Sequence, residues 1–425
     1  MNSRLIGLAE QFGTPSYVYD LDAAKRRAQE LRAILPQQPG TRVLYSFKAN
    51  PLPALAWEHL ENGCAADLTS PGEIIAAQQA GFDLGNALYG GPGKTRQEVQ
   101  NALAAGIRSF SAESWHDLEQ ITQAARDISV RVRCLLRINP AQPPQAKLAM
   151  SGVASQFGFE EEAFAEEDRR KLRELDDVVE VEGVHVYAGT QIADAEALAD
   201  CFQNALTTAE NVASKLNLEL RIVNLGGGFP WPYAKCGESD LTQLKPLLAQ
   251  LRGSCRAAKD AQWWFESGRF LSASSGTLLT RVVDVKVSKN DRMYIIVDTG
   301  IHHLGGMSGL GRIPRFSIDV LPLTNRDGEV TADLVGQLCT PLDCLGRNLK
   351  LPNLRPGDLI AIPNVGAYGV TGSLYGFLSR PAPLEIAYRG DEIVAVHQLN
   401  TGHSTLPTQT LQPQLETASA HGNND

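Results

Sequence analysis

The chain has 425 residues, a length typical of two or three domains. Hydrophobic residues make up 43% and charged residues 20%, which is an ordinary globular composition that can bury a large core. The 39 basic and 48 acidic side chains give a formal net charge of −9. This balance disfavours a basic nucleic-acid groove and a polybasic membrane anchor, so we expect neither nucleic acid nor a membrane as partner.

The sequence also argues against membrane spans, export and metal binding. No apolar run approaches the ~18 residues that a membrane helix needs, and no basic segment followed by an apolar stretch opens the chain. The seven cysteines are scattered without CxxC spacing, which disfavours a disulfide framework or a zinc site. His302 and His303 are adjacent and would point to opposite faces of a strand. We therefore expect a cytoplasmic protein without a metal.

Short β-rich segments alternate with longer helical patterns between about residues 41 and 266. The predicted strands are 41–47, 64–68, 86–89, 107–110, 131–138, 181–187, 220–225 and 262–266. The predicted helices include 72–80, 95–105, 114–126, 160–176, 192–215 and 240–259. Such alternation implies a parallel sheet, and about eight repeats favour a (β/α)8 barrel of the TIM type over an open sheet.

The pattern changes after about Leu271, where strand-like runs are separated by Gly, Pro and Asp and helical periodicity is largely absent. This part predicts an all-β domain, and the strand-like residues 14–20 could join its sheet. The end of the chain is polar, as in disordered tails. The predicted domains are a barrel over 23–271, a β domain formed by 1–22 with 272–405, and a disordered tail over 406–425.

The carboxyl ends of the strands are where a TIM-type barrel places its chemistry. In this chain those ends carry Lys48, Asp67, Arg137, Asn139, His185, Tyr187, Gly226, Gly227, Gly228, Glu266, Gly268 and Arg269. Each has an ordinary alternative explanation. A lysine after a strand is commonly solvated, three glycines commonly form a turn, and His185 fits a satisfied core position. Together, these residues are more informative.

The glycine-containing loops after the seventh and eighth strands lie where TIM barrels bind phosphate. Backbone N–H groups approach phosphate oxygens there, and Arg269 can pair with them in bidentate fashion. Lys48 on the opposite wall and a nearby carboxylate then suggest pyridoxal phosphate. This cofactor needs a Schiff-base lysine, an acidic partner for its ring nitrogen and a phosphate cradle.

Eight segments then occur in an order typical of one family: 12–20 (FGTPSYVYD), 45–51 (YSFKANP), 66–73 (ADLTSPGE), 136–140 (LRINP), 224–229 (NLGGGF), 266–269 (ESGR), 339–343 (CTPLD) and 366–369 (GAYG). They resemble the fold-type III pyridoxal-phosphate decarboxylases, the family of the diaminopimelate, ornithine and arginine decarboxylases. The resemblance spans about residues 12–385. It implies a cofactor-binding TIM-type barrel followed by an all-β domain, as in alanine racemase.

The resemblance also implies which residues hold the cofactor. Lys48 would carry it through a Schiff base, and Glu266 would hold the proton on its ring nitrogen. The glycines 226–228, Arg269 and Tyr368 would contact the phosphate.

Further residues are implied to act on the substrate or near the Schiff base. Cys339 would reprotonate the substrate carbon from the partner subunit, in a homodimer with shared active sites. Asp343 would lie near Cys339 and face the substrate. Asp67 and Arg137 would lie close to Lys48.

Two positions depart from the family's pattern. Relatives usually carry a histidine, stacked on the cofactor ring, where this chain has Tyr187; His185 precedes it by two residues. Diaminopimelate decarboxylases carry a CES-type motif whose glutamate binds the distal amino group, and this chain has Thr340 there. Segments 185–191, 266–269, 297–303 and 339–346 look closer to the subgroup typified by the glutamyl-[acyl-carrier-protein] decarboxylase of butirosin biosynthesis.

The resulting prediction is a decarboxylase of an amino acid, or of an amino-acid unit tethered to a carrier protein, in a biosynthetic pathway. The main alternative is a decarboxylase of free ornithine, lysine or diaminopimelate, with Asp343 binding the side-chain amine. An amino-acid racemase is less consistent with Glu266 and Cys339. A non-catalytic regulatory homologue is less consistent with the presence of Lys48 and both phosphate loops.

Overall fold

A computed structural model describes residues 2–37, 40–141, 148–149, 154–175, 177–305 and 318–400. The predicted tail, 406–425, lies outside these described residues. The helices are α1 Asn2–Phe12, α2 Leu21–Ile34, α3 Pro53–Glu61, α4 Pro71–Gln79, α5 Arg96–Ala104, α6 Trp115–Asp127, α7 Asp168–Leu175, α8 Ala195–Leu216, α9 Leu244–Ser254 and α10 Arg269–Ser272.

The strands complete the element order. They are β1 Ser16–Asp20, β2 Arg42–Ser46, β3 Ala65–Leu68, β4 Leu88–Tyr89, β5 Ser109–Ala112, β6 Val132–Asn139, β7 Leu148–Ala149, β8 Phe159–Glu160, β9 Val179–His185, β10 Gly189–Thr190, β11 Ile222–Asn224, β12 Gln262–Ser267, β13 Gly276–Val287, β14 Met293–Val297, β15 Leu321–Pro322, β16 Glu329–Val335, β17 Cys344–Pro352, β18 Leu359–Ile362, β19 Leu384–Arg389 and β20 Glu392–Gln398.

Eight parallel strands close into a barrel in the order β2-β3-β4-β5-β6-β9-β11-β12. The barrel closes where β12 pairs with β2, with Phe265 opposite Val43. Helices lie between successive barrel strands, as a parallel arrangement requires. The predicted TIM-type barrel is therefore confirmed, with each predicted strand found within a few residues of its expected place.

The second sheet is mixed and consists of nine described strands, β1 and β13 to β20. Seven of them follow the order β17-β16-β14-β13-β1-β19-β20, while β18 also pairs with β13 and β15 pairs with β18. Strand β1 pairs antiparallel with β13 and parallel with β19, so the N-terminal segment does join this sheet. Beyond Ser275 the described residues contain no α-helix, only short 3-10 turns, as the all-β expectation requires. The boundaries 23–271 and 272–405 stay a prediction.

The single helix predicted over 160–176 is wrong. The structure has a short 3-10 turn at Glu161–Ala163 and a separate helix from Asp168. The carboxylate of Glu161 is held by Thr208 and Asn211 of α8, which fixes the turn against that helix. The Asp168 side chain then accepts the Ala165 N–H at 3.0 Å, and this local bond starts the next helix. Helix α1 was not predicted.

The floor of the barrel is a layer of five inward-facing apolar side chains. Leu44, Leu88, Leu135, Ile222 and Trp264 form one buried cluster contributed by five of the eight barrel strands. Because side chains alternate along a strand, the next inward positions lie two residues later, nearer the carboxyl end. Four of these positions are polar: Ser46, Arg137, Asn224 and Glu266. The fold thus places a polar layer on a dry apolar floor.

Candidate active site

Glu266 is at the centre of the polar layer and is 3% exposed. Its Oε1 accepts a hydrogen bond from Asn224 Nδ2 at 2.8 Å, and His185 Nε2 lies 3.2 Å from the same oxygen. Within the described chain, Oε2 accepts no hydrogen bond. The carboxylate is therefore held by one oxygen while the other remains available to a ligand.

Lys48 follows β2 in a tight turn, with its Nζ 3.6 Å from Asp67 Oδ2. Ser46 donates to that same Asp67 oxygen at 2.7 Å and so fixes the carboxylate. Burial lowers the pKa of Lys48, but the negative charges of Asp67 and Glu266 raise it by more, so its pKa lies above the ordinary value. Burial, followed by the charge of Glu266, raises the pKa of Asp67.

The loop after β11 has no room for side chains. Gly226 and Gly228 have φ of +66° and +102°, a conformation that favours glycine. A Cβ on Gly227 would lie 2.5 Å from the Glu266 carbonyl oxygen, and one on Gly228 would collide with Ile192. A Cβ on Gly268, in the next loop, would lie 2.5 Å from the Ala49 Cβ. These loops present bare backbone to the cavity.

Arg269 lies at the same end of the cavity as the glycine loop. Its guanidinium stacks 4.8 Å from the Tyr368 ring centroid and 5.7 Å from that of Tyr233. Its Nε is buried and has no hydrogen-bond partner in the described chain. The Tyr368 N–H donates to the Ala49 carbonyl at 2.7 Å, which ties this β-domain residue to the turn of Lys48. A buried donor without a partner is costly and favours an anion here.

Tyr187 lies in the loop after β9, because that strand ends at His185 rather than extending to residue 187 as predicted. Its ring centroid lies 5.4 Å from Lys48 Nζ and 6.0 Å from the Arg137 guanidinium. Burial raises the pKa of Tyr187 to about 12, so the phenol keeps its proton at neutral pH. Arg137 is paired with Glu113 at 2.6 Å, which holds it beside Tyr187.

A cavity of about 310 Å³, counting its open mouth, lies among these residues, although Asp67, Arg137, His185 and Gly226 are not part of its lining. Its lining is Ser46, Lys48, Tyr187, Thr190, Gly227, Gly228, Phe229, Glu266, Ser267, Gly268, Arg269 and Tyr368. It offers a lysine amine, a flat ring, a carboxylate with one free oxygen, and a glycine cradle beside an unpaired arginine nitrogen. These residues fit pyridoxal phosphate, whose aldehyde, ring nitrogen and phosphate need those groups.

Three predicted substrate residues are not among those that line this cavity in the described chain: Cys339, Thr340 and Asp343. Cys339 is exposed and Asp343 is 3% exposed. The Asp343 carboxylate accepts the backbone N–H groups of Ile301 at 2.9 Å and Leu338 at 2.7 Å. Burial raises the pKa of Asp343. The substrate-facing role of Asp343 gains no support from this placement.

Comparison with known proteins identifies the family. Residues 21–273 match the sequence profile described as the pyridoxal binding domain of pyridoxal-dependent decarboxylases. The chain belongs to the pyridoxal-dependent decarboxylase family. It is 31% identical to the L-glutamyl-[BtrI acyl-carrier protein] decarboxylase of Niallia circulans and 31% identical to a diaminopimelate decarboxylase of Archaeoglobus fulgidus, with 96% of each chain covered in both cases.

A solved structure gives the same result for the fold. The diaminopimelate decarboxylase of Helicobacter pylori, in complex with L-lysine, superposes with a TM-score of 0.81 at 27% identity, covering 92% of this chain and 95% of that one. The decarboxylase is thus a pyridoxal-phosphate enzyme acting on an amino acid, which confirms the predicted enzyme class and cofactor. No helix among the described residues is long and apolar enough to cross a membrane.

Several residues of the decarboxylase site were not predicted from the sequence. Asn224 orients Glu266, Ser111 contacts the His185 ring, and Thr190 lines the cavity beside the glycine loop. The sequence pattern could have predicted Asn224, because this residue lies two positions after the floor residue Ile222 and therefore on the same face of the strand. No pattern in the sequence predicts the contact of Ser111, because its partner His185 is 74 residues away in sequence.

Proposed function

We propose that this decarboxylase acts on an amino-acid unit tethered to a carrier protein, and that the tether is attached at the distal end of the amino acid. The α-carboxylate must be free to leave as carbon dioxide, so the carrier has to be joined elsewhere. The substrate then presents an α-amine and an α-carboxylate to the cavity and an uncharged arm to the entrance.

The observation that carries this proposal is the lack of an available carboxylate in the loop around Cys339. Thr340 is neutral, and the Asp343 carboxylate is already used by two backbone N–H groups. A free diamino acid would bring a distal ammonium that needs a carboxylate partner, since an unpaired buried charge is strongly unfavourable. A thioester-linked arm brings no such charge. The named activity of the Niallia circulans relative agrees with this choice.

The residues of the barrel divide the chemistry among them. Bound pyridoxal phosphate supplies the electron sink for the electron pair left by decarboxylation. Lys48 is positioned to exchange a proton at its amine with Asp67 nearby. Glu266 Oε2 is free to hold a proton at the ring nitrogen by a charge-assisted hydrogen bond. Arg269 and the glycine loop would hold the phosphate, and Cys339 of a second copy would donate the proton that completes the reaction.

The rival candidate is a decarboxylase of a free diamino acid, which is favoured by equal identity to the Archaeoglobus fulgidus enzyme. The test measures kcat/KM for carbon dioxide release from free glutamate, ornithine, lysine and meso-diaminopimelate, and from the same acids loaded on a carrier protein. We expect at least a tenfold preference for a tethered substrate, about 1.4 kcal/mol. Efficient turnover of free meso-diaminopimelate would refute the proposal.

Variants at position 340 sharpen this comparison. Thr340→Glu restores a carboxylate and should raise kcat/KM for a free diamino acid, whereas the isosteric but neutral Thr340→Gln should not. Equal responses of the two variants would show that charge at this position does not select the substrate.

A further inference from the structure

Beneath the cavity, four buried polar side chains form a continuous row that ends on Glu266. The Ser111 hydroxyl lies 2.8 Å from His185 Nδ1, and His185 Nε2 lies 3.2 Å from Glu266 Oε1. Asn224 Nδ2 donates to the same oxygen at 2.8 Å. Each member is at most 5% exposed, so water does not compete with these contacts. The mechanism above uses Glu266 and leaves Ser111 and His185 without a role.

The charge state of His185 follows from its surroundings. Burial is the largest cause that lowers its pKa, and the cations Arg137, Lys48 and Lys94 add to it, while Asp67 acts in the opposite direction. The net pKa lies well below the ordinary value, so the ring is neutral and carries one N–H.

The position of that N–H follows from its neighbours. A carboxylate only accepts, so the ring proton belongs on Nε2, towards Glu266. Nδ1 then accepts from the Ser111 hydroxyl, the one arrangement in which all three groups attract each other. The contact of Nε2 with Oε1 is not a straight hydrogen bond in this structure. Such contacts commonly tighten when a site is filled.

Ser111 is itself held in place from below. Lys94 Nζ donates to the Ser111 carbonyl at 3.0 Å and to the Gly91 carbonyl at 2.6 Å, and it pairs with Asp117 at 2.7 Å. The Lys94 side chain is 3% exposed. This anchor fixes the Ser111 backbone, from which the hydroxyl reaches His185 Nδ1.

We propose that His185 and Ser111 are positioning residues that hold Glu266 through its Oε1 and so keep its Oε2 turned towards the cofactor ring nitrogen. Contacts on Oε1 fix the rotamer of the carboxylate, so Oε2 would accept a straight hydrogen bond from the protonated ring nitrogen. Without them, the carboxylate would be free to turn, and the hydrogen bond that holds the ring proton would weaken. The electron sink is then weaker, although the cofactor remains bound.

The experiment uses holoenzyme reconstituted with pyridoxal phosphate labelled with ¹⁵N in the ring, because the ¹⁵N chemical shift reports whether the ring nitrogen is protonated. The variants are Ser111→Ala, His185→Leu and His185→Gln, the last of which returns a donor near the position of Nε2. The matched control is Ser109→Ala. Ser109 lies two residues earlier on β5 and has a buried hydroxyl without a partner in the described chain.

We expect His185→Leu to shift the ring nitrogen towards the unprotonated form and to lower kcat by about tenfold to a hundredfold, the range for a hydrogen bond to a charged group. KM should change less than kcat. Ser111→Ala should act in the same direction but less strongly, His185→Gln should recover most of the loss, and Ser109→Ala should match the wild type. An unchanged ¹⁵N shift in folded, cofactor-loaded His185→Leu would overturn the proposal, as would equal effects of Ser111→Ala and Ser109→Ala.

Discussion

At the scale of single residues, the site contains an ammonium that must become an amine. A lysine attacks an aldehyde only when it is neutral, yet the charges of Asp67 and Glu266 outweigh burial and hold the pKa of Lys48 above the ordinary value. If Lys48 carries the cofactor as proposed, these two carboxylates would slow the capture of the cofactor by the cofactor-free protein. This opposition is what Coulomb's law gives for a lysine placed 3.6 Å from a carboxylate in a partly dry cavity.

Asp67→Asn should lower the pKa of Lys48 and so increase the fraction of neutral amine at pH 7 to 8. We predict a faster second-order capture of free pyridoxal phosphate, with the midpoint of its pH profile moved to lower pH. The growth of the bound-cofactor absorbance measures both. Asp127→Asn, at an exposed surface pair with Arg96, is the control and should leave the rate unchanged. Slower capture by Asp67→Asn at every pH would contradict this account.

Tyr187 lines the cavity at the position where the family resemblance implies a histidine, and its ring lies close to Lys48 Nζ. We predict that Tyr187→His keeps cofactor affinity and much of the activity, since either flat ring can stack on a pyridine. Tyr187→Ala should release the cofactor more readily, which equilibrium dialysis can measure. Unchanged affinity and turnover in Tyr187→Ala would show that the ring does not stack.

At the scale of elements, helix α3 carries a histidine into the core of the barrel wall. The His59 ring packs 4.3 Å from the Tyr45 ring of β2, and neither ring nitrogen has a hydrogen-bond partner in the described chain. Burial lowers the pKa of His59 to about 3. The His59 ring is therefore neutral when α3 packs against β2, and protonation of this ring would destabilise the contact.

The sign of the pH effect follows from the two protonation states. Below about pH 6.5 the unfolded chain binds a proton that folded His59 does not, so stability falls as pH falls towards 3, by ~1.4 kcal/mol per unit. His59→Phe should remove this part of the acid sensitivity while keeping the stacked ring. Urea unfolding at pH 7.5, 6 and 5 measures the slope. Replacement of the exposed His116 by Phe is the control, and an identical slope in His59→Phe and wild type would exclude the effect.

At the scale of the whole molecule, the β domain does two different things. Its Gly366 and Tyr368 bond to the turn that carries Lys48, through Asn50 Nδ2 at 2.8 Å and the Ala49 carbonyl at 2.7 Å. Cys339, in contrast, is exposed, and within the described chain neither it nor Asp343 lines the cavity. An isologous dimer that carries Cys339 to the neighbouring cavity would complete two equivalent sites.

Subunit mixing tests that dimer. Inactive Lys48→Ala and inactive Cys339→Ala subunits should together regain activity at about one site in four after random exchange. Lys48→Ala mixed with Glu266→Gln should regain none, because both residues lie in the same barrel. No recovery in the first mixture, despite verified exchange, would place Cys339 and Lys48 in one chain's site.

The amino-acid sequence was enough to predict the barrel and the residues at the carboxyl ends of its strands. Alternation of strands and helices fixes a parallel sheet, and period-two alternation fixes which residues follow the apolar floor, as Glu266 follows Trp264. These are local rules, so they can be applied to the sequence alone. These local rules did not predict the interruption of the helix at Glu161–Ala163, because that turn is held by contacts with α8, which is distant in sequence.

The contacts that hold the candidate site residues became visible only in the folded chain. The row from Ser111 through His185 to Glu266 joins three strands, and the engagement of Asp343 by Ile301 and Leu338 closes a loop of the β domain. Neither set of contacts corresponds to a recognisable spacing of residues in the sequence, because hydrogen bonds between strands depend on strand register and barrel closure. The physical reason is general: a strand's own sequence sets which face a side chain occupies, whereas its partner is set by which strand lies next to it.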